Sequence, residues 1–316
     1  MKNVLVTGGC GFIGSAFLNY MLSLDKYKSC RFVNLDKLDY CGREKNVEQK
    51  DNYIFIKGDI CDGYLLLKLL NQYNIDTVIH MAAYSHVDNS FDNSIEFTKN
   101  NILGTHQLLE ACRIWGNINK IVHVSTDEVY GDMPTGTSNE MSILSPTNPY
   151  AASKAAAEML VLSYQKSFGL PIIITRGNNV YGPRQYPEKL IPKFIKNILS
   201  KKPCPIHGSG TSVRNFIHCN DVAKAFETIL VYGTIGEIYN IGSNDEYSVL
   251  EIWNMLKEAI DPSASLKNVE DRAFNDTRYS IDCSKLYALG WKQEINFLVG
   301  LMDTITWYKK NLNWFD

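Results

Sequence analysis

Six short apolar runs, spaced so that a helix fits in the intervals between them, constrain this chain more than any other feature. Val4-Leu5-Val6 precedes a helical pattern over residues 12–24. Further runs follow at Phe32-Val33-Asn34-Leu35, Tyr53-Ile54-Phe55-Ile56, Thr77-Val78-Ile79-His80, Ile121-Val122-His123-Val124 and Ile172-Ile173-Ile174-Thr175. Strands this short and this apolar, alternating with helices, predict a parallel sheet covered on both faces: an α/β, doubly wound architecture.

After Tyr181-Gly182-Pro183 the texture changes. Prolines at 183, 187, 192, 203 and 205 break the chain into short pieces, with helices expected near 192–200, 221–232, 249–260 and 297–310. This half is too irregular for a second doubly wound domain. It reads as a smaller lobe over the carboxyl edge of the sheet, where open α/β sheets hold ligands. We expect residues 1–180, with a returning segment near 213–240, to form the sheet domain, and 181–212 with 241–316 to form the lobe.

A net charge of −2 gives no reason to expect a nucleic-acid surface. No apolar run has transmembrane length, and Met1-Lys2 leads straight into the first strand without a signal peptide, so no membrane contact is expected. The eight cysteines contain no C-x-x-C pair and are scattered through strand and helix patterns. We read them as reduced thiols of a cytoplasmic protein and expect no metal.

Gly8, Gly11 and Gly14 follow the first strand directly and open a helix with Phe12 and Ile13. In that context the loop turns tightly, lets backbone approach a pyrophosphate, and sets the phosphates on a helix N-terminus. Asp36 closes the second strand, 22 residues beyond Gly14. A carboxylate there accepts ribose hydroxyls and repels a 2′-phosphate, which favours NAD over NADP, although Lys37 stands beside it. Asp59-Ile60 either flanks the adenine or forms a turn. Ala82-Ala83 are small enough for backbone to pass close to the cofactor.

Tyr-x-x-x-Lys occurs three times, at Tyr53/Lys57, Tyr64/Lys68 and Tyr150/Lys154. Only the last opens a helix just after the fifth strand, with Pro149 favouring the start. A nearby ammonium is expected to lower the phenol from its usual ~10 and so make a base for a sugar hydroxyl. Thr126, Asp127 and Glu128 stand where the fifth strand gives out. Thr126 can bind the oxygen that Tyr150 deprotonates, and two carboxylates in one pocket can divide acid and base roles. Alternatively, Asp127 and Glu128 are solvated loop charges.

The glycine loop, Ser125-Thr126-Asp127-Glu128-Val129-Tyr130-Gly131, Tyr150–Lys154 and Asn179-Val180-Tyr181-Gly182-Pro183 together resemble the extended short-chain dehydrogenase/reductases, with their Rossmann fold. Within them, Ser-Thr-Asp-Glu-Val-Tyr-Gly is the signature of the nucleoside-diphosphate-glucose 4,6-dehydratases. The resemblance implies NAD as a retained cofactor, C4 oxidation with Tyr150 as base beside Lys154, and Thr126 on the C4 oxygen. It implies Glu128 as the C5 base and Asp127 as the acid for the departing C6 hydroxyl. Ser85 and Asn101 would join the cofactor contacts. His86, Asn179, Lys189, Arg214, Arg272 and Asn275 would meet the sugar nucleotide, Arg214 at the diphosphate.

Tyr84 stands where the dTDP-glucose enzymes usually have a glutamate, and Asp36–Cys41, His86–Phe91, Arg176–Pro183 and Phe274-Asn275-Asp276 look like the UDP-glucose 4,6-dehydratases of UDP-rhamnose synthesis. UDP-glucose is therefore the preferred substrate expected. With the chain ending at Asp316, a separate downstream epimerase and reductase are expected to use the product. Relatives dimerise through two helices, here about 95–115 and 149–168, so a homodimer is expected. Their apolar residues Ile102, Leu108, Leu109, Met159, Leu160 and Leu162 form either that interface or core against the sheet. The rival readings are a sugar-nucleotide 4-epimerase and an NAD-sensing protein without turnover.

Overall fold

The computed structural model describes residues 1–270 and 276–315. The chain begins with β1 (Asn3–Thr7), α1 (Phe12–Ser23), β2 (Arg31–Asp36), β3 (Tyr53–Lys57), α2 (Gly63–Gln72) and β4 (Thr77–His80). Two short helices, α3 (Val87–Asp92) and α4 (Ser94–Phe97), lead through a wide helical turn at Thr98–Leu103 into α5 (Gly104–Trp115). Then come β5 (Lys120–Thr126), α6 (Pro149–Phe168), β6 (Ile172–Gly177) and β7 (Asn179–Tyr181). The remainder comprises α7 (Leu190–Leu199), β8 (Cys204–His207), β9 (Val213–His218), α8 (Cys219–Tyr232), β10 (Ile238–Ile241) and β11 (Glu246–Ser248). It closes with α9 (Val249–Ile260), β12 (Leu266–Val269), α10 (Ser284–Tyr287) and α11 (Phe297–Lys310).

Seven strands form one sheet in the order β10-β6-β5-β4-β1-β2-β3, with every neighbouring pair parallel. This is the doubly wound sheet expected from the six apolar runs, extended by one strand. On one face, Phe17 and Met21 of α1 pack with Phe226 and Ile229 of α8. On the other, Leu66, Leu108, Leu109 and Val161 come from α2, α5 and α6. Because both faces are covered, the strands carry apolar residues at nearly every position rather than at alternate ones.

The chain returns to the large sheet through α8 and β10, whereas β9 pairs with β7 and β11 in a separate three-stranded sheet. A third apolar cluster, centred on Phe194, Trp253, Phe297 and Ile305, lies under α7, α9 and α11.

One expectation changes, and one open alternative resolves. The segment 95–115 is not one regular helix: its turn at Thr98–Leu103 is widened, and that turn buries Asn100 and Asn101. Asn101 then accepts from Tyr84 N at 2.8 Å and donates to Tyr84 O at 2.9 Å, a polar demand that a regular turn does not meet. Leu108 and Leu109 are core, 1% and 2% exposed, because they face the sheet. Ile95, Leu103 and Met159 are exposed apolar positions of these helices, and Leu160 and Leu162 pack partly against the core.

Candidate active site

Strand β1 delivers the chain into Gly8, whose φ of +74° and contact with the chain leaving β4 both demand glycine. A Cβ there would stand 2.6 Å from the Ala82 Cα, so the backbone past β4 fills that space. At Gly14 a Cβ would lie 2.3 Å from the Gly8 carbonyl oxygen. The loop is thereby closed onto the start of α1, whose cap Gly11 offers no side-chain bond to the first-turn N–H groups. Such a cradle of close backbone and open N–H groups fits a pyrophosphate.

Asp36 is fixed beside the cradle. Its carboxylate accepts from Cys10 N at 2.9 Å and Leu38 N at 2.8 Å, while burial raises its proton affinity. The Lys37 charge favours the ionised carboxylate, but its ammonium pairs elsewhere. Its ammonium donates to the Tyr84 hydroxyl at 2.8 Å and to Asn100 Oδ1 at 3.0 Å, and pairs with Asp39 at 3.4 Å. The pinned carboxylate suits ribose hydroxyls rather than a 2′-phosphate. Ser125 lines the same cleft with a buried hydroxyl that has no hydrogen-bond partner among the described residues, which leaves room for a polar ligand atom. The residues present thus fit a dinucleotide such as NAD.

The reacting groups gather at the far end of this cleft. Asn148 caps α6 by accepting from Ala151 N at 2.9 Å, and Pro149 occupies the first turn. The same Asn148 side chain donates to Glu128 Oε2 at 3.0 Å. One residue therefore starts the helix of Tyr150 and holds a carboxylate of the adjoining turn. That turn, Asp127–Tyr130, is a short 3-10 segment capped by Thr126, whose hydroxyl accepts from Glu128 N at 3.3 Å and donates to Asp127 Oδ1 at 3.3 Å. Asn178 donates to Asp127 Oδ2 at 2.7 Å.

Burial sets the proton affinities here. Asp127, 2% exposed, is pushed up to about 7, first by burial and then by the charge of Glu128. Glu128 is also raised by burial, opposed by its bond from Asn148. Lys154 is drawn down to about 8 by burial, with Glu158 one turn away opposing that shift. The expected lowering of Tyr150 does not occur in the protein alone. Its phenol is raised, because burial and the Glu128 and Asp127 charges outweigh the bond from Thr126. Lys154 does not counter them, for its ammonium donates to the Val124 carbonyl at 2.7 Å.

Most residues singled out in the sequence line this one cleft: Gly8, Gly11, Phe12, Ile13 and Gly14; Asp36, Lys37 and Ile60; Ala82, Ala83 and Ser85; Thr126 through Glu128; Tyr150, Lys154, Asn179 and Lys189. Asp59 and Asn101 do not line it: Asp59 accepts from Cys61 N and pairs with Lys37 at 3.9 Å, and Asn101 bonds the Tyr84 backbone. Glu128, Asn179 and Lys189 also border a second cavity, which His86 and Arg214 line. Arg214 donates to Asp276 O at 2.9 Å and lies over the Tyr279 ring, and its charge favours the Glu128 carboxylate. Nδ1 of His86 accepts from Asn89 N at 3.4 Å, capping α3. Lys189 donates to Ser85 O at 2.6 Å. Arg272 and Asn275 lie outside the described residues. The sequence reading missed Asn148 and Asn178, although Asn-Pro before a helix is a capping signal for the first. Tyr84, which the sequence marks only as a departure from the dTDP-glucose enzymes, holds Lys37 together with Asn100.

A family model described as GDP-mannose 4,6 dehydratase matches residues 5–304. The chain belongs to that family. Its relatives in this family are nucleotide-sugar 4,6-dehydratases of the extended short-chain dehydrogenase/reductase superfamily. A trifunctional UDP-glucose 4,6-dehydratase/UDP-4-keto-6-deoxy-D-glucose 3,5-epimerase/UDP-4-keto-L-rhamnose-reductase of Arabidopsis thaliana is 50% identical over 321 residues, covering 99% of this chain and 48% of that enzyme. The chain thus spans about half the length of such relatives. The dTDP-D-glucose 4,6-dehydratase of Homo sapiens is 46% identical over 324 residues, covering 99% of this chain and 92% of that enzyme. The solved structure of DesIV, a dTDP-glucose 4,6-dehydratase of Streptomyces venezuelae with NAD bound, superposes with a TM-score of 0.95 at 39% identity, covering 99% and 98% of the two chains.

Proposed function

We propose that this protein is an NAD-dependent nucleoside-diphosphate-glucose 4,6-dehydratase with UDP-glucose as its preferred substrate. The observation that carries the reading is the adjacency of two carboxylates, buried Asp127 and half-buried Glu128, to Tyr150 in one cleft. A 4-epimerase has no use for both, and a sensor without turnover has no use for the tyrosine.

Bound NAD would supply the hydride acceptor for C4, the hydride returned to C6, and a positive charge favouring the Tyr150 phenolate. Tyr150 takes the proton of the C4 hydroxyl, with Thr126 bonded to the same oxygen. The resulting ketone acidifies the C5 proton, which Glu128 removes. Asp127, held in its protonated form up to about pH 7, gives its proton to the C6 hydroxyl as water leaves. The burial of Tyr150 and Asp127 limits competition from bulk water for their protons.

UDP-glucose is supported by Asp36–Cys41, His86–Phe91 and Arg176–Pro183, which resemble the UDP-glucose enzymes, by the departure at Tyr84 from the dTDP-glucose enzymes, and by the 50% identity to the plant relative. The two bases differ by one methyl, on thymine, worth ~0.8 kcal/mol if buried, so discrimination in either direction is expected to be no more than a few-fold. Exposed Ile95 on α4, Leu103 at the end of the widened turn and Met159 on α6 support a homodimer through the face of segments 95–115 and 149–168. The 4-keto-6-deoxy product is chemically suited to a following epimerase and reductase.

The deciding experiment is mass analysis of products from UDP-glucose and dTDP-glucose incubated separately with the NAD-loaded protein. Loss of one water from both, faster from UDP-glucose, is expected. Faster reaction of dTDP-glucose would reverse the nucleotide preference, and no water loss from either would remove the dehydratase reading.

The acid also predicts a pH profile. Turnover should fall as pH rises through about 7, because the reactive form of Asp127 is the protonated one. Folding follows the same sign. The folded carboxyl holds its proton to higher pH than the unfolded one, so stability declines from the ordinary carboxylate range up to about pH 7. A rate constant independent of pH between about 6 and 9 would exclude Asp127 as the acid.

A further inference from the structure

Arg176 touches neither cavity, yet it joins the two halves of the site. It sits on β6 opposite Ser125 of β5, one position before the pairing of Gly177 with Thr126. Its side chain is 3% exposed and that of Glu158, its partner on α6, is 0% exposed. Nε donates to both Glu158 carboxylate oxygens at 3.2 and 3.1 Å, and Nη2 donates to one of them at 2.6 Å. On the other side Nη1 donates to the Tyr130 hydroxyl at 2.9 Å and to the Glu140 carbonyl at 3.3 Å. The Tyr130 ring lies 4.8 Å from the guanidinium carbon, and its hydroxyl donates to Asn240 Oδ1 at 2.8 Å.

The two ends of this network are the two chemical modules. Glu158 is one helical turn beyond Lys154, on the helix that carries Tyr150. Tyr130 is the last residue of the turn that carries Asp127 and Glu128. We propose that Arg176 is a positioning residue, which fixes the acid–base turn against the Tyr150–Lys154 helix so that one bound sugar presents C4 to one and C5–C6 to the other. This inference rests on the dehydratase reading.

A buried ion pair is by itself weak evidence for stability, since an apolar pair of similar volume often serves as well. What an apolar pair lacks is direction. The rigid guanidinium fork binds a carboxylate and a phenol at set angles, and neither end shifts without breaking a bond to it. Oxidation needs the helix and Thr126 at the end of β5, whereas elimination also needs the carboxylates of the turn in register with them. Loosening the link is therefore expected to harm the second step more than the first.

Tyr130→Phe tests this, because it keeps the ring over the guanidinium and deletes only the hydroxyl that carries the link. The faster of UDP-glucose and dTDP-glucose is mixed with NAD-loaded protein. Absorbance of bound reduced nicotinamide and release of water from the sugar are then followed together. The expected result is elimination slowed about tenfold or more, with reduced nicotinamide accumulating above the wild-type level. Arg176→Lys, which keeps the charge and loses the fork, should shift the balance the same way. Equal slowing of oxidation and elimination in these variants, or an unchanged balance, overturns the positioning role. Wild-type protein that oxidises neither sugar removes the dehydratase reading and the inference with it.

Discussion

Replacing Tyr150 with phenylalanine should lower turnover by roughly a thousandfold and abolish the first step itself, so that no reduced nicotinamide absorbance appears on mixing with sugar nucleotide. The phenol is 8% exposed, which leaves little room for water to act as a substitute base. Lys154 cannot take over, since its ammonium is committed to the Val124 carbonyl. The fold should tolerate the change, because the edge contact of the ring with Phe97 at 6.4 Å is retained. Thermal unfolding close to wild type, together with lost oxidation, would assign the defect to chemistry. Near-normal turnover would show that Tyr150 is structural.

Glu128→Gln should have an effect of similar size on a different step. Oxidation at C4 should persist while elimination falls by about 10²- to 10⁴-fold, because the glutamine amide cannot accept the C5 proton. The substitution is close to isosteric, and the glutamine carbonyl can still accept the bond that Asn148 now gives to Oε2. Removing this charge also relieves the second of the causes that raise Asp127, so any residual pH dependence should move to lower pH. The measurement is deuterium entering C5 from heavy water. Wild-type incorporation by the variant would exclude Glu128 as the C5 base.

Part of this chemistry is legible in the linear chain. Of three Tyr-x-x-x-Lys pairs, only Tyr150/Lys154 follows a buried strand and a proline, and those two residues line the cleft with Thr126–Glu128. Capping and strand periodicity are local properties, so a linear reading can recover them. Tyr64, by contrast, is 82% exposed on α2, in keeping with its amphipathic pattern. The glycine spacing is legible for the same reason, although the closure of Gly14 against Gly8 rather than some other group is a matter of three-dimensional packing.

Other features have no local signal. Asn178 reaches Asp127 across 51 residues, and Arg176 reaches Tyr130 across 46. Lys37 stands next to Asp36 in the chain, yet Tyr84 and Asn100, from beyond β4, draw its ammonium away. Leu108 and Leu109 carry the same helical periodicity whether they meet a partner copy or the sheet. Only the packing of α5 on the sheet assigns them to the core.

The doubly wound sheet, the glycine cradle after β1 and the approximate place of the acid–base residues are readable in the linear chain. Those depend on apolar periodicity, turn chemistry and short spacings that any extended chain already displays. The tertiary structure alone decided the protonation ranges of Asp127 and Lys154, the raised phenol of Tyr150 and the link through Arg176. Those depend on how much water packing removes and on which distant groups it brings within a few ångströms, and neither quantity exists until the chain has folded.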